Sequence, residues 1–362
     1  MIRLTWMAFR TQGLVGLAAL LVVGVVLLVT GPHLVHLYDT NVVGCAAHFD
    51  CSSATGTFLK NDHGLVVALN VLVVVVPGLV GIFWGAPLVA RELETGTYRL
   101  AWTQSVSRAR WLAVKLGVVG LAAALAGGVL SLMVTWWSSP VDRANVNLFA
   151  TFDQRDLVPV GAAAFAFAVG TTAGVLLRRT IPAMAATLVT FAGARLLGNY
   201  LVLPRLVAPL RHSYALVFGT TINGYGGPPG QPQSLFAGLP NLTNAWVLSS
   251  DITDRAGHPL TAGVVSRTCP GLAAVLGGPG PGPGAPVALN GGHAAVVGRA
   301  PAGANQALVE CVRKVGLSYR EYVTYQPAGH YWPLQWAELA LFLVVAVALG
   351  GICLWRIRRH LS

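Results

Sequence analysis

The run LVVALNVLVVVVPGLVGIFWGAPLV, Leu65–Val89, carries no charge and passes directly into ARELETGTYR, Ala90–Arg99. An uncharged stretch of ~20 residues or more spans the ~30 Å hydrocarbon core of a bilayer as a helix. No other backbone form satisfies its own hydrogen bonds there. The segment after the run differs in kind. Two acids, Glu92 and Glu94, sit among five bases, Arg91, Arg99, Arg108, Arg110 and Lys115. Crossing lipid requires no such mixture. Receiving a push from a soluble partner does, so the chain reads as a membrane protein whose motor lies on another polypeptide.

The rest of the sequence extends that pattern. Of 362 residues 54% are hydrophobic and 10% charged, against about 25% charged in soluble domains. Five further apolar runs are long enough to span: Leu14–Thr30, Leu116–Trp137, Leu157–Leu177, Ile181–Leu203 and Leu334–Trp355. The expected fold is an all-α membrane protein of six transmembrane helices. Arg3, Arg10, Arg91, Arg99, Arg108, Arg110, Lys115, Arg178, Arg179, Arg356, Arg358 and Arg359 fall on one side. Only Lys60, Arg143 and Arg155 lie in the short loops of the other. Positive charge stays inside, so both termini are expected in the cytosol. The net charge of +11 is mostly this bias, and no nucleic-acid partner is read from it. Only three of the 24 basic residues are lysine, a usage that suggests a GC-rich bacterium and its plasma membrane.

Five segments follow from these runs. Residues 1–13 place Ile2, Trp6 and Phe9 at helical spacing, as in an amphipathic interfacial helix or an ordinary basic flank. Residues 14–203 hold spans one to five, with an inner loop at 90–115 and loops at 31–64 and 138–156 on the outer side. Spans four and five are joined only by Arg178-Arg179-Thr180, an inner hairpin. Residues 204–333 form a loop-rich outer domain with two Gly/Pro-rich tracts. Its ordered parts are expected at Leu242–Leu248 and Tyr319–Tyr325, the latter alternating like a strand. Residues 334–355 are span six, and 356–362 a cytosolic tail. Tyr331, Trp332, Trp336, Trp136 and Trp137 read as an aromatic belt. Cys45, Cys51, Cys269 and Cys311 fall on the oxidising side. The local pairing Cys45–Cys51 and Cys269–Cys311 is preferred among three connectivities, and Cys353 is left free.

No ATP-binding loop, His-Glu-x-x-His or Gly-x-Ser-x-Gly motif occurs. The spacings suggest no metal site, and no catalytic residues are assigned. Ala90-Arg91-Glu92-Leu93-Glu94-Thr95-Gly96-Thr97 followed by Ser107-x-Arg-x-Trp-x-x-x-Lys115 resembles the segment after the second span in ABC exporter permeases of the ABC-2 type, also called type V. Trp84–Val89, Leu100–Ser105, Tyr325-Gln326-Pro327 and Trp332–Trp336 resemble an actinobacterial set of such permeases. The resemblance implies a coupling helix seated in a groove of an ABC ATP-binding subunit, with ATP and Mg on that subunit and no cofactor here. It implies Arg91, Glu92, Glu94, Gly96, Thr97, Arg99, Arg108 and Arg110 as the ATPase-coupling residues. It also implies a second permease, in a homodimer or with a sister chain, and a central path lined by spans two and five. Asn70, Pro77, Arg195 and Asn199 are then candidates for that path or its gate. The cargo class implied is an amphipathic or lipophilic compound: a drug, natural product or lipid.

Arg195 is the one charge deep in a span. It costs roughly 2.5–3.5 kcal/mol to insert, so it should face protein or water. Three readings stand: a structural ion pair with Glu338, or with Asp156; a path residue drawing an anionic group; and a side chain that snorkels to the outer interface. Pro77-Gly78 interrupts span two, as a gate or as a static kink. Gly170-x-x-x-Gly174 allows close helix packing. The rival function is a membrane-anchored extracellular sensor or binding protein that recruits a cytosolic regulator.

Overall fold

The computed structural model describes residues 2–47, 52–61, 63–96, 107–144, 147–217, 222–226, 234–237, 242, 244–269, 287–290, 293–296 and 304–360. The chain divides into two units, Met1–Ala208 with Gly329–Ser362, and Pro209–Ala328.

The first unit is a bundle with six helical segments long and apolar enough to cross a membrane: Phe9–Val43, His63–Thr95, Ala109–Ala144, Leu148–Leu177, Thr180–Leu206 and Ala328–Arg359. Most outrun the apolar runs that announce them, because protein contacts at the ends replace lipid as the stabilising surroundings. The first helix is unbroken over Ile2–Tyr38. Residues 1–13 are therefore not a separate interfacial helix. Buried Phe9 meets Trp84 edge-on at 4.9 Å, and the indole of Trp84 occupies the space beside Gly16 that a Cβ would fill.

The loop expected at 31–64 is largely helical as well. The chain passes Pro32 within the helix, continues as a π-turn at Asp39–Val43, and forms a further helix at Ser52–Asn61. The third span is one helix, Arg108–Ala144, that carries Pro140 without breaking. The stretch 138–156 is thus helical as far as Ala144. Its remainder includes a 3-10 turn, Leu148–Gln154, that buries Phe149 and Phe152.

The fourth span organises the bundle. In its most apolar stretch 72% of the residues are buried, against 6% in the first span. The cause is composition. Gly161, Ala162, Ala163, Ala166, Ala168, Gly170 and Gly174 let neighbouring backbones approach from several sides. The closest approach is to span two. There the helix His63–Val80 passes through Pro77 and gives way to a π-turn at Gly81–Gly85, then to a helix at Ala86–Thr95. Pro77 therefore does not interrupt the span; the irregularity sits just after it.

That π-turn carries a second Gly-x-x-x-Gly, Gly81 and Gly85, facing Gly170 and Gly174. A Cβ on Gly81 would lie 2.6 Å from the Ala166 carbonyl oxygen, on Gly85 2.6 Å from that of Phe167, and on Gly174 2.6 Å from that of Ala86. A Cβ on Gly170 would collide with the Gly81 carbonyl. Four glycines thus form a seam of backbone against backbone. Dispersion at this range is the main attraction between helices where lipid removes the hydrophobic driving force.

In the second unit the described residues include strands and helices, while the Gly/Pro-rich tracts lie mostly outside the described residues. The strands are β1 (Leu210–Ala215), β2 (Ile222–Gly226), β3 (Ser234–Ala237), β4 (Trp246–Asp254), β5 (Val287–Asn290), β6 (His293–Val296) and β7 (Tyr319–Gln326). β1, β7 and β4 form an antiparallel sheet with β7 in the middle, while β2–β3 and β5–β6 pair separately. The helices Ala262–Thr268 and Ala304–Val315 belong to the same unit. Cys269 is bonded to Cys311 in a core with Leu216, Val265, Val312 and Val315. The fold is therefore an α-helical membrane bundle with an α+β unit between spans five and six. Cys45 is disulfide-bonded, while its expected partner Cys51 lies outside the described residues. Cys353 is free and buried.

Candidate functional site

Polar side chains gather at the two ends of the bundle. One is a basic end with Arg91, Arg110, Arg178 and Arg179. The other is an acid end with Asp142, Asp153, Asp156 and Glu338.

At the basic end the segment expected as a loop begins as helix Ala86–Thr95. Gly96 closes it in the left-handed conformation, φ 73°, which glycine adopts without a Cβ penalty. One face, Ala86, Val89 and Ala90, is buried. Val89 packs with Trp111 and Leu112 of span three, Val175 of span four, and Cys353 and Ile357 of span six. The flanking acids are engaged inside the chain. Glu92 accepts a hydrogen bond from the Lys115 ammonium at 2.5 Å. Lys115 is only 2% exposed and lies 4.3 Å from the Trp111 ring. Glu94 accepts from the Thr180 amide at 3.1 Å and its hydroxyl at 2.8 Å. A carboxylate from span two thus caps the start of span five, where free amides and the helix dipole favour negative charge.

The charged residues of this segment accordingly fall into two groups. Glu92 and Glu94 fasten the helix to spans three and five. Arg91 and Arg110 are exposed. Thr97, Arg99 and the Arg108 side chain lie outside the described residues.

At the acid end Arg195 stands between two carboxylates. Its Nη1 donates to Glu338 Oε1 at 3.1 Å, and its Nη2 lies 3.6 Å from Asp153 Oδ2. Asn199 hydrogen-bonds Asp153. The Phe342 ring centroid is 5.9 Å from the guanidinium. One oxygen on each carboxylate, Asp153 Oδ1 and Glu338 Oε2, is buried without a hydrogen-bond partner among the described residues. The cation is thus more than balanced. Asp156, the other partner considered, instead accepts from the Tyr331 hydroxyl at 2.7 Å, and its carbonyl accepts from Ser131 at 3.0 Å.

Arg155 forms a second knot. Buried at 3% exposure, it donates to Asn70 Oδ1 at 3.3 Å and pairs with Asp142 at 3.5 Å. Asn70 and Asn199 therefore belong to different clusters rather than to one row. Gln335 Oε1 accepts from the amides of Leu157 and Val158 at 3.0 and 3.2 Å, and its Nε2 donates to the Phe152 carbonyl at 3.1 Å. It caps span four from span six.

Two members of the expected aromatic belt have other work. Trp137 is buried and donates to Thr30 at 2.9 Å, and Tyr331 is bonded to Asp156. Trp136, Trp332 and Trp336 are exposed. Pro77 is buried, and Gly78 beside it faces Phe191 of span five. Asp153, Arg155, Gln335, Lys115 and Thr180 were not singled out as site residues. A glutamine at the head of an apolar span and an arginine beside Asp156 and Asp153 were the available signals.

Residues 17–202 match the family described as ABC-2 membrane transporter related, a match over just more than half of the chain. No curated protein and no solved structure matches.

Proposed function

The chain belongs to the ABC-2 membrane transporter related family, and on that premise we propose that it is the permease of an ATP-driven exporter. The observation that carries this reading is the helix Ala86–Thr95 at the basic end. It is wedged among four spans and held by Glu92–Lys115 and Glu94–Thr180. A force applied there reaches spans three and five through charge-assisted bonds and span four through the glycine seam. Such a helix transmits movement, whereas a solvated loop absorbs it.

In this reading the basic end faces the cytosol, both termini lie there, and the membrane is a bacterial plasma membrane. ATP and Mg act on a separate ATPase subunit, and two permeases assemble with two ATPases. ATPase closure binds one bundle state better than the other and so shifts the population between inward- and outward-facing forms. The exposed arginines Arg91 and Arg110 are the docking charges, which set orientation and register. Glu92 and Glu94 act from inside, as struts. The cargo is an amphipathic or lipophilic compound. Arg195 is assigned a structural role, because two carboxylates already surround it and leave no net positive charge to draw an anion.

The alternative is a sensor whose unit 209–328 recognises an external ligand; the ordered sheet β1–β7–β4 favours it. Affinity purification of the tagged full-length chain in mild detergent, with mass spectrometry, separates the two. Export predicts an ATP-binding subunit recovered with the wild type and lost with Arg91→Glu/Arg110→Glu. These positions are exposed, so the fold survives the change. Recovery of a kinase or other regulator without an ATPase would replace export by sensing.

A further inference from the structure

Arg155 and Lys115, buried in the bundle, and the part-buried Arg195 are each paired with a carboxylate. The second unit holds guanidinium groups that are not. In the sheet β1–β7–β4, Ser213 stands opposite Tyr322, and Tyr322 opposite Asp251; Thr253 stands opposite Arg320. Alternation along the strands places Arg211, Ser213, Arg320, Tyr322, Asp251 and Thr253 on one face. With the turn after β4, this face forms a cleft of about 440 Å³ lined by Arg211, Ser213, Thr253, Asp254, Arg255 and Tyr322, among others.

Two features make the cleft electropositive. The Arg211 guanidinium lies 4.9 Å over the Tyr322 ring. A guanidinium held over a ring by cation–π attraction keeps its in-plane N–H groups available to a bidentate acceptor. The one acid in the lining, Asp254, is held by its own turn. Its Oδ1 accepts from the amides of His258 and Ala256, each at 2.9 Å, and its Oδ2 lies 3.1 Å from His258 Nδ1. Gly257 permits that turn with φ 89°. Asp254 therefore stays ionised but faces its own loop. Neither Arg211 nor Arg255 has a carboxylate partner among the described residues.

We infer that this cleft binds a phosphate-bearing organic anion, the chemistry shared by a sugar phosphate and a phospholipid headgroup. Planar guanidinium groups grip phosphate through paired, charge-assisted hydrogen bonds. The Ser213 and Thr253 hydroxyls suit the hydroxyls of an attached sugar or glycerol. The volume exceeds what a bare phosphate fills and lies in the range of small-molecule sites, about 300–1,000 Å³. The inference does not depend on the exporter reading, since an exporter and a sensor could each use such a site.

The test uses the full chain in phosphatidylcholine nanodiscs, titrated with glycerol 3-phosphate and followed by calorimetry. Hydrogen–deuterium exchange over 210–215 and 246–258 reports where binding occurs. The expected result is saturable binding with protection of both segments. Arg211→Ala or Arg255→Ala weakens it roughly ten- to hundredfold, and Arg211→Lys gives an intermediate loss. Arg267→Ala, an exposed arginine of the same unit bonded to the Gly263 carbonyl, leaves binding unchanged. A parallel arm replaces the soluble ligand with phosphatidylglycerol in the disc. Protection in that arm alone assigns a lipid headgroup, and protection in the first assigns a soluble phosphate. No binding and no protection in either arm would overturn the inference. So would equal binding of uncharged glycerol, or an equal loss with Arg267→Ala. Should Arg211→Ala disturb the sheet, Arg255→Ala, on the exposed turn, still decides.

Discussion

The two ends of the helix bundle meet the same difficulty with different outcomes. Each brings charged side chains and a bare helix start to the edge of an apolar environment. Each caps one helix with a side chain from another: Glu94 on the start of span five, Gln335 on the start of span four. At the acid end the solution is closed. Arg195 is part-buried between Asp153 and Glu338, Arg155 is buried beside Asp142, and Tyr331 binds Asp156. At the basic end it is open. Two acids are used inside, while Arg91 and Arg110 remain exposed on the same surface. The contrast separates polar residues that hold the bundle from those left free for a partner.

The glycine seam lies towards the basic end, with Gly174 four residues before Arg178, and breaking it should have the largest effect. Gly170→Val drives a branched side chain into the Gly81 carbonyl and should cost about 3 kcal/mol or more. The readout is loss of monodisperse protein in detergent, with Gly117→Ala, a glycine with open space around it, as the tolerated control. Next comes Arg195→Ala. It strands two carboxylates and should destabilise by about 3–5 kcal/mol. Adding Asp153→Asn and Glu338→Gln should restore much of the melting temperature. Absence of any rescue would sink the triad as a structural lock.

At the basic end the effects should be smaller, since solvent shares the work. Glu92→Ala leaves Lys115 buried and unpaired. Partial exposure of the pair reduces the cost to about 2 kcal/mol, and Lys115→Met should recover part of it. Glu94→Ala should shift the melting temperature less than Glu92→Ala. A larger shift would mean that the cap, not the buried pair, holds the helix Ala86–Thr95.

The smallest effect should come from a buried carboxylate that lacks a cation. Among the described residues, Glu321 in β7 accepts only from Ser250, at 2.6 Å, and its other oxygen has no partner. Burial raises its carboxyl above the usual carboxylate value. The unfolded chain therefore loses this proton first as pH rises. Stability is full below the unfolded value and is lost as pH climbs towards the raised one. Glu321→Gln should match the wild type near pH 4 and melt higher near pH 8. An identical pH dependence in the two proteins would remove Glu321 from the account.

Much of this architecture is legible in the residues alone. Uncharged runs announce six helices, because a bilayer accepts little else. Three residues between spans four and five force a hairpin. Alternation at Tyr319–Tyr325 announces β7, and Cys269 and Cys311 announce a bond. The ends of the helices are not legible, because a helix continues wherever protein contacts stabilise it. Pro32 and Pro140 lie just beyond the apolar runs Leu14–Thr30 and Leu116–Trp137, and the helices pass through both. Trp137 and Tyr331 look like interface anchors and are buried hydrogen-bond donors.

The sequence by itself determined the class of the protein, a multi-pass helical membrane chain with a charged segment after span two. It did so because hydropathy and charge act locally, residue by residue. Only the tertiary structure decided which charges are free. The meetings of Arg195 with Asp153, Glu92 with Lys115 and Glu94 with Thr180 depend on the rotation of each helix about its axis. So does the meeting of Gly81 with Gly170. That rotation is fixed by how the small-residue faces of spans two and four pack, which no single span encodes.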